Sequence, residues 1–163
     1  MMKPTAALAI LSILATAACE LAEPFQGPGF DPGKGLTTDA EGPFVVATTR
    51  LVLTPDDSEA QSVFDAQMTK LNAALETQPG FIGHSLSVKL FDPAEGYRTL
   101  SVWEDEEAML AWVVGDAHLE AMGATAEHVE AGQTATWTIT REEMPPSWED
   151  AKAHLDEHGR EAY

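Results

Sequence analysis

Apolar positions along the chain change period several times, and each change marks an expected element. Residues 44–53, FVVATTRLVL, are rich in β-branched side chains. They are apolar on both alternating sides, with Phe44, Val46 and Val52 on one and Val45, Leu51 and Leu53 on the other, which predicts a strand buried on both faces. Thr54-Pro55-Asp56-Asp57 has the composition of a helix start, with Thr54 as cap, Pro55 at the first helical position and Asp57 closing a capping box. Ala60, Phe64, Met68, Leu71 and Leu75 follow at steps of four and three, an amphipathic helix whose stripe is core while Asp65, Lys70 and Asn72 turn away from it. Gln78-Pro79-Gly80 ends the helix. A second strand spans 81–91, with Ile82, His84, Leu86, Val88 and Leu90 on one side. A hairpin loop at 92–96 leads into a third strand, 97–103, which sets Leu100 and Val102 against Thr99, Ser101 and Trp103.

The four acids Glu104 to Glu107 read as a helix start, because carboxylates there complement the helix dipole and neighbouring positions point in different directions; no metal site is expected. Met109, Trp112 and Val113 form the apolar face that follows, and Gly115-Asp116 interrupts the helix before it resumes over 117–122. Residues 134–140 alternate Ala135, Trp137 and Ile139 with threonines, a fourth strand. Pro145-Pro146 stops it, and Ser147-Trp148-Glu149-Asp150 opens a last helix with Trp148, Ala151 and Leu155 inward. The order βαββαβ predicts an α+β, ferredoxin-like domain: a four-stranded antiparallel sheet with helices on one face. Because the first strand is apolar on both sides, the second face needs a cover. A two-fold partner laying its own sheet there supplies one, so a homodimer closing a dimeric α/β barrel is expected.

Outside this patterned region the composition changes the picture. The first residues, MMKPTAALAILSILATAAC, have one lysine, an apolar run from Ala6 to Ala15 and then small residues, the layout of a secretory signal. The run is too short to span a bilayer as a helix. Thr16-Ala17-Ala18-Cys19 resembles the lipobox of bacterial lipoproteins, where cleavage before the cysteine leaves a lipidated N-terminus; Ala15-Thr16-Ala17 offers an ordinary cleavage site instead. Cys19 is the single cysteine, without a disulfide partner in the chain, and lipidation would give it a purpose. The expected address is the cell envelope, on the periplasmic side of the outer membrane in a two-membrane bacterium, with Cys19 as the membrane anchor. Residues 20–42 hold three prolines and five glycines without an apolar period, so a flexible tether is expected, with docking of Phe25 and Phe30 as the alternative. The expected organisation is therefore a signal peptide 1–18, a tether 19–43, an α/β domain 44–141 and a helical extension 142–163. Acidic side chains outnumber basic ones 27 to 9, a net charge of −18, which argues against nucleic acid as a partner. His154-Leu155-Asp156-Glu157-His158 spells a zinc-protease motif, but Leu155 is needed by the apolar stripe and five residues remain after His158, so no metal is expected there.

The segments Gln78 to Ser85, QPGFIGHS, and Ser101 to Ala108, SVWEDEEA, followed by Ala117-His118-Leu119, resemble the antibiotic biosynthesis monooxygenase family of dimeric α/β barrels. The resemblance covers about residues 44–140. It implies a pocket between sheet and helices, lined partly by Trp103 and His118 in the positions of the family's strand tryptophan and helix histidine. Haem-degrading relatives add an asparagine on the first strand, and 44–53 contains none, so the resemblance points away from haem. It points instead to a cofactor-independent monooxygenase acting on a small aromatic or quinol-like compound, in which a shaped apolar pocket and a few polar groups suffice. Trp103 and His118 are then the catalytic candidates, and Arg50 and His84 the substrate-binding ones. A non-catalytic ligand-binding or envelope lipoprotein with the same fold is the alternative.

Overall fold

The computed structural model describes residues 20–89 and 96–162. The expected signal segment 1–18, Cys19 and most of the hairpin loop before Gly96 lie outside the described residues. In chain order the elements are β1 (Glu20–Ala22), β2 (Phe30–Asp31), β3 (Gly35–Leu36), β4 (Phe44–Leu53), α1 (Ala60–Leu75), β5 (Phe81–Lys89), β6 (Tyr97–Trp103), α2 (Glu106–Val113), α3 (Asp116–Thr125), β7 (Val129–Ile139), α4 (Trp148–His158) and β8 (Arg160–Glu161). The main sheet is antiparallel in the order β1-β5-β6-β4-β7-β8. Its four inner strands form the expected ferredoxin-like βαββαβ arrangement, and the short strands β1 and β8 extend it to six. β4 lies at the centre, paired with β6 from Val45↔Trp103 to Leu51↔Tyr97 and with β7 along its whole length.

Both faces of this sheet are covered within one chain. Val45, Phe81, Trp103, Met109 and Leu75 pack on the side of α1 and α2. On the opposite side Phe44, Val46, Leu100, Val102 and Ile139 are buried against Phe25, Phe30 and Ala151. The cover expected from a second copy is thus supplied by residues N-terminal to β4 and by α4, whose Ala151 and Leu155 are buried as the apolar stripe requires.

The flexible tether is corrected accordingly. From Glu20 onward the segment runs along the outer edge of β5: Glu20 to Ala22 pair with Lys89 to Ser87, and Gln26 exchanges both backbone hydrogen bonds with His84. Gly29 N–H donates to Ile82 O at 2.9 Å, and Ser85 Oγ donates to Glu23 O at 2.6 Å. Further on, Arg141 donates to the carbonyls of Ala40 and Thr38. The glycines serve close approach rather than freedom. A Cβ on Gly27 would lie 2.4 Å from Gly83 Cα, and one on Gly83 would meet Gln26 O at 2.8 Å, so the two backbones touch only because both residues lack side chains. With Phe25 and Phe30 stacked edge to face at 5.1 Å and buried, the segment hides enough apolar surface to order itself.

Three local expectations also shift. A β-bulge between Phe81 and Gly83 moves Ile82 onto the face of Phe25 and Val46, so His84 and Leu86 lie on the side opposite Ile82. β7 begins at Val129, five residues before the expected strand, because β4 offers pairing partners as far as Leu53. The helix at Thr54 begins only at Ala60. Residues 54–57 form a turn with Asp56 at φ 64°, and Asp57 Oδ1 accepts from the N–H groups of Glu59 and Ala60. The other carboxylate oxygen of Asp57 lies 2.7 Å from His128 Nδ1, joining the turn before α1 to the segment before β7.

That hydrogen bond, chiefly, raises the pKa of His128 above its ordinary 6.5 and lowers that of Asp57 below 3.8, with the Glu59 backbone adding to the latter. The His128 contribution to stability is complete below about pH 6.5 and lost as pH rises through the raised folded value. The Asp57 contribution is present above about pH 3.8 and lost as pH falls through the lowered one. Asp57→Asn keeps an acceptor for the helix N–H groups, so its thermal midpoint should fall below wild type most between about pH 4 and 6.5, with the gap closing on either side; a gap independent of pH rules the ion pair out. Phe25→Ala should cost about 3 kcal/mol in urea unfolding and expose residues 20–43 to limited proteolysis; an unchanged digestion pattern would show that Phe25 does not hold the segment.

Candidate ligand-binding cavity

Between the sheet and helices α1 to α3 lies a cavity of about 400 Å³. The period of two on each strand decides its floor: Ala47, Thr49 and Leu51 of β4, Thr99, Ser101 and Trp103 of β6, and Thr134 and Thr136 of β7 face it. α1 contributes Phe64, Met68 and Leu71, and the broken helix pair α2 and α3 contributes Trp112, Val113 and Met122. None of the described lining residues is Asp, Glu, Lys or Arg. In a chain of net charge −18 this is an uncharged chamber suited to a small, largely apolar molecule.

Five rings run along one side. His84 lies 5.9 Å from Phe81, Phe81 5.1 Å from Trp103, Trp103 6.1 Å from Trp112 and Trp112 5.8 Å from His118. The two histidines therefore end an aromatic row centred on Trp103. Trp103 is 1% exposed, and its Nε1–H donates to Ser101 Oγ at 3.0 Å, so its only polar group is committed inside the protein. It offers the cavity a flat apolar wall.

The break between α2 and α3 positions His118. Its Nδ1 lies 3.0 Å from the carbonyl oxygen of Val113, at the end of α2. A carbonyl only accepts, so Nδ1 carries the hydrogen and the neutral ring keeps a lone pair on Nε2. Burial lowers the pKa of His118, partly offset by the Val113 carbonyl, and so favours that neutral, proton-accepting form. His84 also has its pKa lowered by burial, against the opposing pull of Glu23 and Glu76. Gln26 fixes the His84 backbone, so the N-terminal segment helps to hold this ring in place.

Of the sequence-predicted site residues, Trp103, His118 and His84 all line the cavity. Arg50 does not. It follows Phe44, Val46 and Thr48 on the other face of β4, opposite Arg98 of β6; the hydrogen bond from Lys152 chiefly holds Asp156 of α4 below the usual carboxylate range, and Arg50 and Arg98 add a smaller pull. Its expected substrate contact is therefore corrected to a place beneath α4.

Sequence reasoning missed Asn72, which was assigned to the outer side of α1. It lines the cavity, and its Oδ1 is buried without a hydrogen-bond partner. The signal was its place four residues after Met68 and eight after Phe64, on the edge of the apolar stripe. His154 stacks on Trp137 with centroids 4.2 Å apart and planes 12° from parallel, which gives the first histidine of the C-terminal motif a packing role. That stack borders a more open hollow of about 750 Å³ beside β7, where Glu106, Glu143 and Asp150 gather.

The fold is thus a ferredoxin-like α+β sandwich whose chamber opens between sheet and helices. Residues 45–162 match the family described as a domain of unknown function (DUF3291), and the chain belongs to that family. The match runs through α4, so the C-terminal helix is part of the family's unit. Solved structures of similar fold include a candidate monooxygenase of Lactobacillus acidophilus NCFM, with TM-score 0.53 and 16% identity, covering 68% of this chain and 57% of that one. A candidate monooxygenase of Fusobacterium nucleatum gives TM-score 0.54 and 10% identity over 64% of this chain and 46% of the other. A dimeric protein of unknown function and ferredoxin-like fold from Bacteroides fragilis gives 0.53 and 14%, over 61% and 99%. The chain spans only about half of the first two proteins. No curated protein matches the sequence. At these identities the likeness is one of fold.

Proposed function

We propose that this protein is a cofactor-independent monooxygenase acting on a small phenolic or quinol-like aromatic held in the cavity between sheet and helices. The observation that carries the reading is the pairing of an uncharged, aromatic-walled chamber with His118, whose Nδ1–H is tied to Val113 so that Nε2 is left as an acceptor. The candidate monooxygenases among the fold neighbours add support at the level of fold.

In this reading His118 takes the phenolic proton, and the anion is electron-rich enough to reduce oxygen itself. Oxygen forms a bond to the ring carbon para to the oxyanion, giving a hydroperoxide. Its O–O bond then breaks, the ring C–H proton leaves, and one oxygen departs as water. Phenol and O₂ become quinone and water, a four-electron oxidation of the ring matched by the four-electron reduction of oxygen. Trp103 and Trp112 supply flat walls that orient the ring and exclude water.

Export, anchoring through a lipid on Cys19, and a place in the cell envelope belong to the same proposal. Their support is the apolar run and small-residue stretch before that cysteine. A homodimer, as described for the Bacteroides fragilis protein, would use a surface other than the sheet face that this chain covers itself.

Oxygen uptake with dihydroxynaphthalenes and hydroxyanthrones tests the chemistry. One O₂ should be consumed per quinone formed, His118→Gln should lower kcat by roughly 100-fold, and the acid limb of the wild-type profile should lie below the ordinary histidine value. Absence of turnover across the panel, or equal rates for His118→Gln, would remove the enzymatic reading. Protein isolated from membranes should carry a diacylglyceryl adduct at Cys19 by mass spectrometry; a free N-terminus at Ala18 contradicts the anchor.

A further inference from the structure

Of the five large hydrophobic side chains exposed among the described residues, four gather at the break between α2 and α3: Leu110 is 48% exposed, Val113 40%, Val114 67% and Leu119 54%. Single exposed aliphatics are ordinary, but a cluster marks a contact surface. Leu110, Val113 and Val114 stand at steps of three and four, so they share one side of α2. Leu119 follows one turn past the break, with its N–H on Gly115 O. Glu106 and Glu107 precede Leu110 by four and three positions and lie on that same side, and Asp116 directly follows the break. All three carboxylates are exposed, and none is paired with a cation among the described residues. Between Arg98 and Arg141 the sequence has no lysine or arginine. The cation that α1 sends toward α3, Lys70, is taken by Glu120 at 3.2 Å.

We propose that the α2–α3 surface docks a cationic amphipathic helix of a partner protein. The partner's aliphatic side chains would cover Leu110, Val113 and Val114, and lysines or arginines beside them would reach Glu106, Glu107 and Asp116. An apolar centre with a polar rim is the anatomy of a protein interface, and the sign of the rim selects the partner. A second copy of this chain fits poorly, because it would bring the same carboxylates face to face in a molecule of net charge −18. A bilayer is served by the opposite pattern, with lysine and arginine beside the apolar face, and its anionic headgroups would be repelled here. Val113 lies on the patch and also lines the chamber, and its carbonyl holds His118. The docked helix would therefore stand against the α2–α3 wall of the cavity, although the docking does not depend on any chemistry inside it.

Fluorescence anisotropy with the full chain and three dye-labelled peptides tests the docking. The peptides are an amphipathic helix of leucine and lysine, the same leucines with glutamate in place of lysine, and the same lysines with serine in place of leucine. The first should bind about tenfold more tightly than either control, as burial of aliphatic side chains and pairing with the rim together provide. Leu110→Ser combined with Val114→Ser keeps the net charge and alters only exposed positions, so it should leave the thermal midpoint unchanged and weaken the first peptide about tenfold. Glu106→Gln with Glu107→Gln should weaken it as well, whereas Glu142→Gln with Glu149→Gln, which removes the same charge elsewhere, should not. Equal binding by the wild type and the Leu110/Val114 variant, or equal losses from the two charge-removing pairs, overturns the docking. Failure of the leucine–lysine helix to bind overturns it too. In that case, a Leu110/Val114 variant that no longer binds zwitterionic vesicles makes the patch a lipid contact, and one that turns a dimer into a monomer by sedimentation makes it a contact between copies.

Discussion

The central strand β4 is apolar on both faces, and the rest of the structure follows from the need to cover it twice. On one side the cover is tight: Phe44 and Val46 are fully buried beneath Phe25, Phe30 and α4. On the other, Val45 is packed by Trp103 and Met109, but Ala47 and Thr49 are too small to reach α1, and space remains. A close-packed interior leaves few such voids, so a chamber of about 400 Å³ marks a place where packing was not the governing requirement. Sealing one face from within the chain lets the other remain open without dependence on a second subunit for that cover.

The N-terminal segment links these two roles. It caps the edge of β5, an edge that would otherwise present unpaired backbone groups, and it anchors His84 through a pair of hydrogen bonds with Gln26. A residue on the cavity floor is thereby held by a segment that packs against the opposite face. The close contact of Gly27 with Gly83 is what permits this, since a side chain at either position would push the segment off the sheet.

Much of the fold was legible because its elements are strongly periodic. β4 and β6 stand at their expected bounds, α4 starts where its capping sequence places it with Ser147 as cap, and the acidic run opens α2 with Asp105 as its cap. Trp103 and His118 both line the one cavity between sheet and helices. The misreadings share a cause, which is that long-range contacts overrode local composition. Prolines and glycines in residues 20–43 resemble a linker until the facing glycine on β5 is known. The bulge at Ile82 reverses a strand side without any marker in the alternation around it. Arg50 was drawn toward the cavity by its chemistry although its side of β4 is that of Phe44 and Val46, where Asp156 of α4 is its electrostatic neighbour. Asn72 was hidden because a polar residue on the margin of an apolar stripe ordinarily faces water, and here the helix leans over a void instead of over solvent.

What the structure offers chemically is an uncharged room with two histidines at the ends of an aromatic row, both with their pKa lowered by burial and one of them bound to a helix terminus. A crystal soaked without oxygen in 1,4-dihydroxynaphthalene gives the most direct test of that arrangement. The expected density is a flat molecule against Trp103 and Trp112, with one hydroxyl directed toward Nε2 of His118. An empty chamber at saturating ligand, or density confined to the acidic hollow beside β7, would contradict it.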